Sequence, residues 1–216
     1  PKPPFRLTEL CLPPGRLRHF ANWGGSFADL DFQDCRFAGG EFYLSPDSPS
    51  HSTRVKNCSF ERVRFTFHPY ARAALSFYNN LFKDGTLTID TDPPNPAGSP
   101  AWIIRDNLFD GTRVTQLADL PAGAATHNGY VLTSQNQTRL RPIPSGNTDR
   151  ILLASPRYEV FGNGRYYLSS GDLVLTDRGS RSAAAAGLYH HTTRVGQAKE
   201  AGSAVDIGLH YIALSG

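Results

Sequence analysis

Few acidic and basic side chains in this sequence stand where they could act together. Asp90, Asp92 and Asp106, with Arg105 or Arg113 nearby, hold the parts of an eliminative cleavage of a uronate polymer. That reaction needs a cation or neutralising group at the substrate carboxylate and a basic side chain to take the proton at C5. Asp84 and Asp110 stand one repeat apart, the placement a hydrolytic carboxylate pair would need on adjacent turns of a coiled chain. His68, Tyr70, Asp90 and Asp92 fall in or beside Pro- and Ser-containing segments of variable length, where aromatic and polar groups can contact a glycan. His190 and His191 are sequence neighbours, and neighbours on an extended strand point to opposite faces, so they do not read as a shared metal site.

Each of these groups also has a plainer reading, because the elements that carry them repeat. Around Cys35, Cys58, Asn80 and Asn107 one pattern recurs at spacings of 23, 22 and 27 residues, the period of a coil in a parallel β-solenoid. Three and five residues before each stand Phe32/Leu30, Val55/Thr53, Phe77/Leu75 and Ile104/Trp102, an alternation that reads as a strand with one buried face. Two residues after each come Phe37, Phe60, Phe82 and Phe109, and seven and nine after come Phe42/Leu44, Phe65/Phe67, Leu87/Ile89 and Val114/Gln116, a second strand. Stacked coils place like over like. Cys35, Cys58, Asn80 and Asn107 are therefore expected to form one internal ladder and Phe37, Phe60, Phe82 and Phe109 another, with the side-chain amides satisfying one another.

A weaker fifth copy ends at Asn128 and Tyr130. A further copy at Cys11, 24 residues before Cys35, would put Arg6 and Thr8 at inward positions, which they fit poorly. Asp106 precedes its rung as Asp34, Asn57 and Asn79 precede theirs, and Asp84 and Asp110 belong to Gly-containing corners, so all three read as structural. Trp102 takes an inward repeat position and reads as core.

Net charge is +3, from 18 Arg and 4 Lys against 19 acidic residues, with no basic run, which argues against a nucleic-acid partner. The three cysteines follow no metal-ligand spacing and read as buried ladder residues; a disulfide between adjacent coils would be strained. No cofactor or metal site is expected. No apolar run is long enough for a transmembrane helix and no signal-peptide pattern opens the chain. The sequence contains no Met, so Pro1 is expected to mark a processed or excised segment of something longer.

After Tyr130 the ladder fades. Residues 134–149 are polar with Pro142, Pro144 and Gly146 and read as an excursion; short β segments follow at Tyr158 to Tyr167, Leu173 to Thr176 and Val205 to Leu214, with one short helix on the alanines of Ser182 to Gly187. Leu175-Thr176-Asp177-Arg178-Gly179-Ser180 and Val205-Asp206-Ile207-Gly208-Leu209-His210-Tyr211 resemble the closing coils of secreted bacterial right-handed parallel β-helix proteins of the pectate-lyase-like superfamily, and Gly162 to Leu168 with Gly187 to Thr193 resemble a subgroup of large extracellular proteins among them. The resemblance implies that fold and a secreted or cell-surface setting. In it Asp177 and Asp206 are buried turn carboxylates that accept backbone N–H groups. Fold likeness says little about activity.

The expectation is an all-β, right-handed single-stranded parallel β-helix over 1–130, with closing coils and an irregular β-rich C-terminal cap over 131–216. Its expected function is that of a non-enzymatic secreted or cell-surface structural module, part of a larger or self-associating extracellular assembly. Two alternatives remain open: a polysaccharide lyase or glycoside hydrolase, and a glycan-binding module acting through the loop edge.

Overall fold

The computed structural model describes residues 29–46, 48, 51–68, 73–90, 102–117, 119–134, 136–162 and 164–214, together with the backbone of the strands Phe5–Thr8 and His19–Trp23. The chain winds as a parallel β-helix of about five turns. Each complete coil carries three short strands rather than two. In the first these are Asp29–Gln33, Arg36–Ala38 and Glu41–Ser45; in the second, Ser52–Lys56, Ser59–Glu61 and Arg64–Phe67. The third has Ala74–Tyr78, Leu81–Lys83 and Thr86–Ile89, and the fourth Trp102–Arg105, Leu108–Asp110 and Arg113–Gln116. Ala125–Thr126, Gly129–Val131 and a last strand, Arg150–Leu152, continue the first and second sheets beyond residue 130.

The extra strand arises because the chain turns sharply just before each rung. Asp34, Asn57, Asn79, Asp106 and His127 all take positive φ, between 52° and 62°. Asp and Asn tolerate this left-handed conformation better than most residues, which accounts for their recurrence there. A second corner uses Gly39, Arg62, Asp84 and Gly111, again at positive φ. A Cβ on Gly111 would come 2.4 Å from Asp84 Oδ1, so the close approach of successive corners there excludes a side chain.

The core is built from in-register stacks. Phe37, Phe60, Phe82, Phe109 and Tyr130 lie ring over ring, with centroid separations of 5.0, 5.0, 5.2 and 5.1 Å and interplanar angles no greater than 16°. These separations follow the spacing between parallel strands, so the stack is a consequence of exact register. Beside it, each rung accepts from the one before. Cys35 N–H points to Cys58 Sγ at 3.4 Å, Cys58 N–H donates to Asn80 Oδ1 at 2.9 Å, and Asn80 N–H to Asn107 Oδ1 at 3.0 Å. Asn107 N–H then donates to Asn128 Oδ1 at 3.1 Å, and Asn128 N–H to Asp149 Oδ1 at 2.9 Å. The amide nitrogens reach back to strand carbonyls, Asn80 to Val55, Asn107 to Phe77 and Asn128 to Ile104. Cys35 and Cys58 are buried free thiols of this ladder.

Two sequence readings shift. The strand Phe5–Thr8 pairs Phe5 with Leu30 and Leu7 with Phe32, one residue earlier than a count from Cys11 gives. Cys11 itself lies outside the described residues. The polar excursion also contributes a rung, Asp149, and its earlier part closes the end of the coil stack. Gln116 donates through Nε2 to Arg141 O and accepts from Arg141 N–H, Thr138 Oγ1 accepts from Val114 N–H, and Leu140 is buried in the core with Leu120.

The remainder, from residue 153 onward, is irregular, with an antiparallel hairpin of Tyr158–Phe161 and Gly164–Leu168, a helical turn Ala183–Ala186 capped by Ser182, and a short pair His191–Thr192 with Tyr211–Ile212. It packs along the side of the coils. Leu81, Leu108 and Val131 face outward from the second sheet and meet Tyr167, Leu168, Leu175, Ile207 and Leu209 in a second apolar core.

Burial raises the Asp149 carboxyl to about 6, opposed by the Asn128 N–H bond. A carboxyl held above its free value of 3.8 gives stability that is full below that value and is lost as pH rises through about 6. Asn at this position keeps the Oδ1 acceptor, so Asp149→Asn should be more stable than the parent by about 1–2 kcal/mol at pH 8. The advantage should shrink toward pH 4, as read from chemical denaturation at both pH values.

Candidate functional site

The groups that suggested chemistry in the sequence are placed as follows. His68 and Asp90 follow the paired strand residues Phe67 and Ile89 on adjacent coils, and His68 Nδ1 lies 2.7 Å from Asp90 Oδ2 while its ring stacks against Tyr43. Ser45 occupies the same position one coil earlier, after Leu44. The column therefore runs Ser, His, Asp. The Ser45 hydroxyl is wholly enclosed, however, and meets no hydrogen-bond partner, so it is not open to a substrate. Tyr70 and Asp92 lie outside the described residues.

Asp106 is buried, and its carboxylate accepts from the Ser180 N–H at 2.6 Å and the Ser180 hydroxyl at 2.8 Å. Burial pushes its pKa up, with the Ser180 bonds opposing. Arg105 reaches Gly123 O, and Arg113 is exposed. Asp110 has no exposed surface and accepts from Ser155 Oγ at 2.6 Å, Tyr158 OH at 2.8 Å and Lys83 Nζ at 3.0 Å. Burial works against the Lys83 charge, but the bonds to Asp110 outweigh it and leave the lysine pKa raised. Asp84 is exposed on its corner beside Lys83. Trp102 is inward and donates through Nε1 to Ala73 O at 2.9 Å. His190 is exposed, edge-on to Tyr189.

These carboxylates brace the coils instead of meeting in a groove. The flank segment is held to the column of left-handed corner residues in the same way. Asn57 exchanges two hydrogen bonds with the His210 backbone, at 3.0 and 2.7 Å; Asn79 donates to Asp206 O; and Gly208 N–H donates to Asp106 O. Asp206 is a buried carboxylate that accepts from Asp177 N–H and the Thr193 hydroxyl. Asp177 is exposed and takes part through its backbone, which corrects its reading as a second buried carboxylate. Behind this line, burial raises Glu200 to about 8 and lowers His210 to about 3, so both are neutral near pH 7.

An open concave site lies elsewhere among the described residues. A cleft of about 700 Å³ lies between the outer face of the second sheet and the flank. Arg36, Ala38, Ser59 and Glu61 form one wall; the other comes from the hairpin turn at Phe161 to Tyr167, from His191 and from Leu209 to Ile212. Tyr211 sits at its base, stacked on Tyr167 with centroids 4.2 Å apart, and its hydroxyl accepts from the N–H groups of Arg165 and Tyr166. The Arg36 guanidinium lies over the Tyr211 ring at 4.9 Å. Tyr166 donates to Glu61 Oε2 at 2.6 Å and so ties the hairpin to the second coil. The sequence hid this site because its walls come from segments more than a hundred residues apart, one of them without periodicity. The run Gly164-Arg165-Tyr166-Tyr167 was the only local signal.

Among the described residues no three His, Cys, Asp or Glu side chains are grouped to hold a metal ion, and no helix is long and apolar enough to cross a membrane. Comparisons with protein-family models, curated proteins and solved structures found no match for the chain.

Removing the Asp110 charge leaves Lys83 half-buried without its anion and cuts a tie between two coils and the flank. Asp110→Asn should lower unfolding stability by roughly 3 kcal/mol in urea titration. The exposed corner change Asp84→Asn, which keeps a residue tolerant of positive φ, should move it by less than about 0.5 kcal/mol.

Proposed function

We propose that this chain is a non-enzymatic β-helix module of a secreted or cell-surface protein, a rigid spacer that carries surface loops and joins further modules or copies in a larger extracellular assembly. One observation carries the reading. The carboxylates that an eliminative or hydrolytic mechanism would need are engaged in structural bonds: Asp106 with Ser180, Asp110 with Lys83, Ser155 and Tyr158, and Asp90 with His68. A general acid or base must reach the proton it transfers; Asp106 and Asp110, held by internal donors with no exposed surface, do not, and the partly exposed Asp90 is engaged by the His68 ring.

The secreted setting rests on the resemblance of the C-terminal segments to closing coils of extracellular β-helices. The mode of assembly is narrowed by the closed end of the stack. Thr138, Arg141 and Asn136 side chains already bond the Val114 N–H, the Gln116 carbonyl and the Thr112 carbonyl at the edge of the third sheet there, so strand addition at that edge has few free backbone groups to use. Contacts through side faces or loops suit the module better.

Incubated with polygalacturonate, alginate and neutral plant and bacterial glycans, with and without added calcium, the protein should yield neither unsaturated uronate chromophore nor new reducing ends above a heat-denatured control. Catalytic release of either product, abolished by changing Asp90 or His68, would establish the lyase or hydrolase reading instead.

A further inference from the structure

The strap from Asp206 to His210 is held to the coils through Asn79 to Asp206 O, Gly208 N–H to Asp106 O and the two bonds between Asn57 and His210. Behind it lies a buried polar cluster centred on Glu200. Glu200 Oε2 accepts from Asp206 N–H at 3.3 Å, and its Oε1 lies 3.6 Å from His210 Nε2.

The donors and acceptors of this cluster require a proton. His210 Nδ1 lies 3.0 Å from Gly208 O, a carbonyl, so Nδ1 carries the ring hydrogen and Nε2 presents a lone pair. That nitrogen is buried and meets no donor. A lone pair set against a carboxylate oxygen in a closed interior is repelled, and a proton on Glu200 turns the contact into an attraction. The Asp206 carboxylate lies beside Glu200 as a second anion, itself held by Asp177 N–H and the Thr193 hydroxyl.

The surrounding charges do not relieve this. Asp177 adds negative potential at both carboxyls, and Arg194, bonded to Ser169 O and Thr176 Oγ1, acts on Asp206. His191 and Lys56 act on His210. Among the described residues no Lys or Arg pairs with Glu200. Burial, with the Asp206 charge, raises its carboxyl from 4.5 to about 8.

We propose that Glu200 is a proton-operated latch: protonated, it keeps the strap on the coils, and ionised, it frees the strap and uncovers Leu81 and Leu108, which share an apolar core with Ile207 and Leu209. The bared wall is a surface for a further module, offered as pH rises. The latch goes beyond the structural role proposed above and does not rest on it. A carboxyl raised by docking favours the docked strap fully below pH 4.5 and loses that support as pH rises through about 8, so release becomes easier by about tenfold per pH unit between the two.

The test is hydrogen exchange of the whole chain from about pH 6 to about pH 9, corrected for intrinsic rates and read at the amides of Ile207, Gly208 and His210, which donate to Leu175 O, Asp106 O and Asn57 Oδ1. Their opening constants should rise at least about tenfold per pH unit up to about pH 8. In Glu200→Gln the amide oxygen still accepts from Asp206 N–H and the NH₂ can donate to His210 without any titration, so the slope should fall by about tenfold per unit. The parent should bind the dye ANS above about pH 8.5 and the variant should not. In the parent alone, the carbon-13 signal of the Glu200 carboxyl should titrate near pH 8. The proposal is overturned if that signal titrates in the ordinary carboxylate range, if the variant keeps the parent's slope, or if the two bind the dye alike throughout.

Discussion

One buried side-chain acceptor per coil holds this molecule in register. The turn before each rung takes the backbone N–H of the rung out of strand pairing, and in a closed interior that donor has no water to meet. The next coil supplies the acceptor from the same repeat position, Sγ of Cys58 and then Oδ1 of Asn80, Asn107, Asn128 and Asp149. The bond forms only when the two coils are aligned residue for residue, so it enforces the register that the phenylalanine stack then uses. A slip of one residue would turn every inward ring to the outside and orphan every rung donor together.

The turn residues do two jobs because of this geometry. Left-handed φ at Asp34, Asn57, Asn79 and Asp106 frees their side chains to point away from the coil, and three of those four bind the C-terminal flank directly. Asn57 serves His210, Asn79 serves Asp206 and Asp106 serves Ser180. The flank thus lies along the solenoid as a splint, with Tyr158 and Tyr166 anchored to Asp110 and Glu61 of the second sheet. Where the splint stands away from the wall, beside Arg36 and Arg165, the cleft opens. The carboxylates of Asp106, Asp110 and Glu61 all serve to hold the flank to the coils.

The coils were legible in the sequence because a solenoid writes each contact once per turn. Phe60 over Phe82 and Asn80 beside Asn107 are short steps in a repeat, and a residue type that recurs at one position announces its partner. The phase of the first coil was not, since Phe5 and Leu7 alternate one residue out of step with Cys11, and a strand misread by one residue exchanges its faces. Asp149 stands 21 residues after Asn128, as Asn128 does after Asn107, but the intervening prolines and the change from amide to acid disguised it as loop. The flank was illegible for a deeper reason. Its contacts pair Asn57 with His210 and Asp106 with Ser180 across 153 and 74 residues, between a periodic wall and an aperiodic strap, so no local pattern in either segment names the other.

If the buried acceptors hold the register, the rung amides are among the most protected donors in the molecule. Native-state hydrogen exchange followed by NMR measures this directly, residue by residue. The N–H groups of Cys58, Asn80, Asn107 and Asn128 should exchange only through global unfolding, at least about a hundredfold more slowly than the amides of the 136–141 segment. Exchange of these four at the rate of that segment would mean that the ladder opens locally, and that something other than the buried acceptors keeps the coils in register.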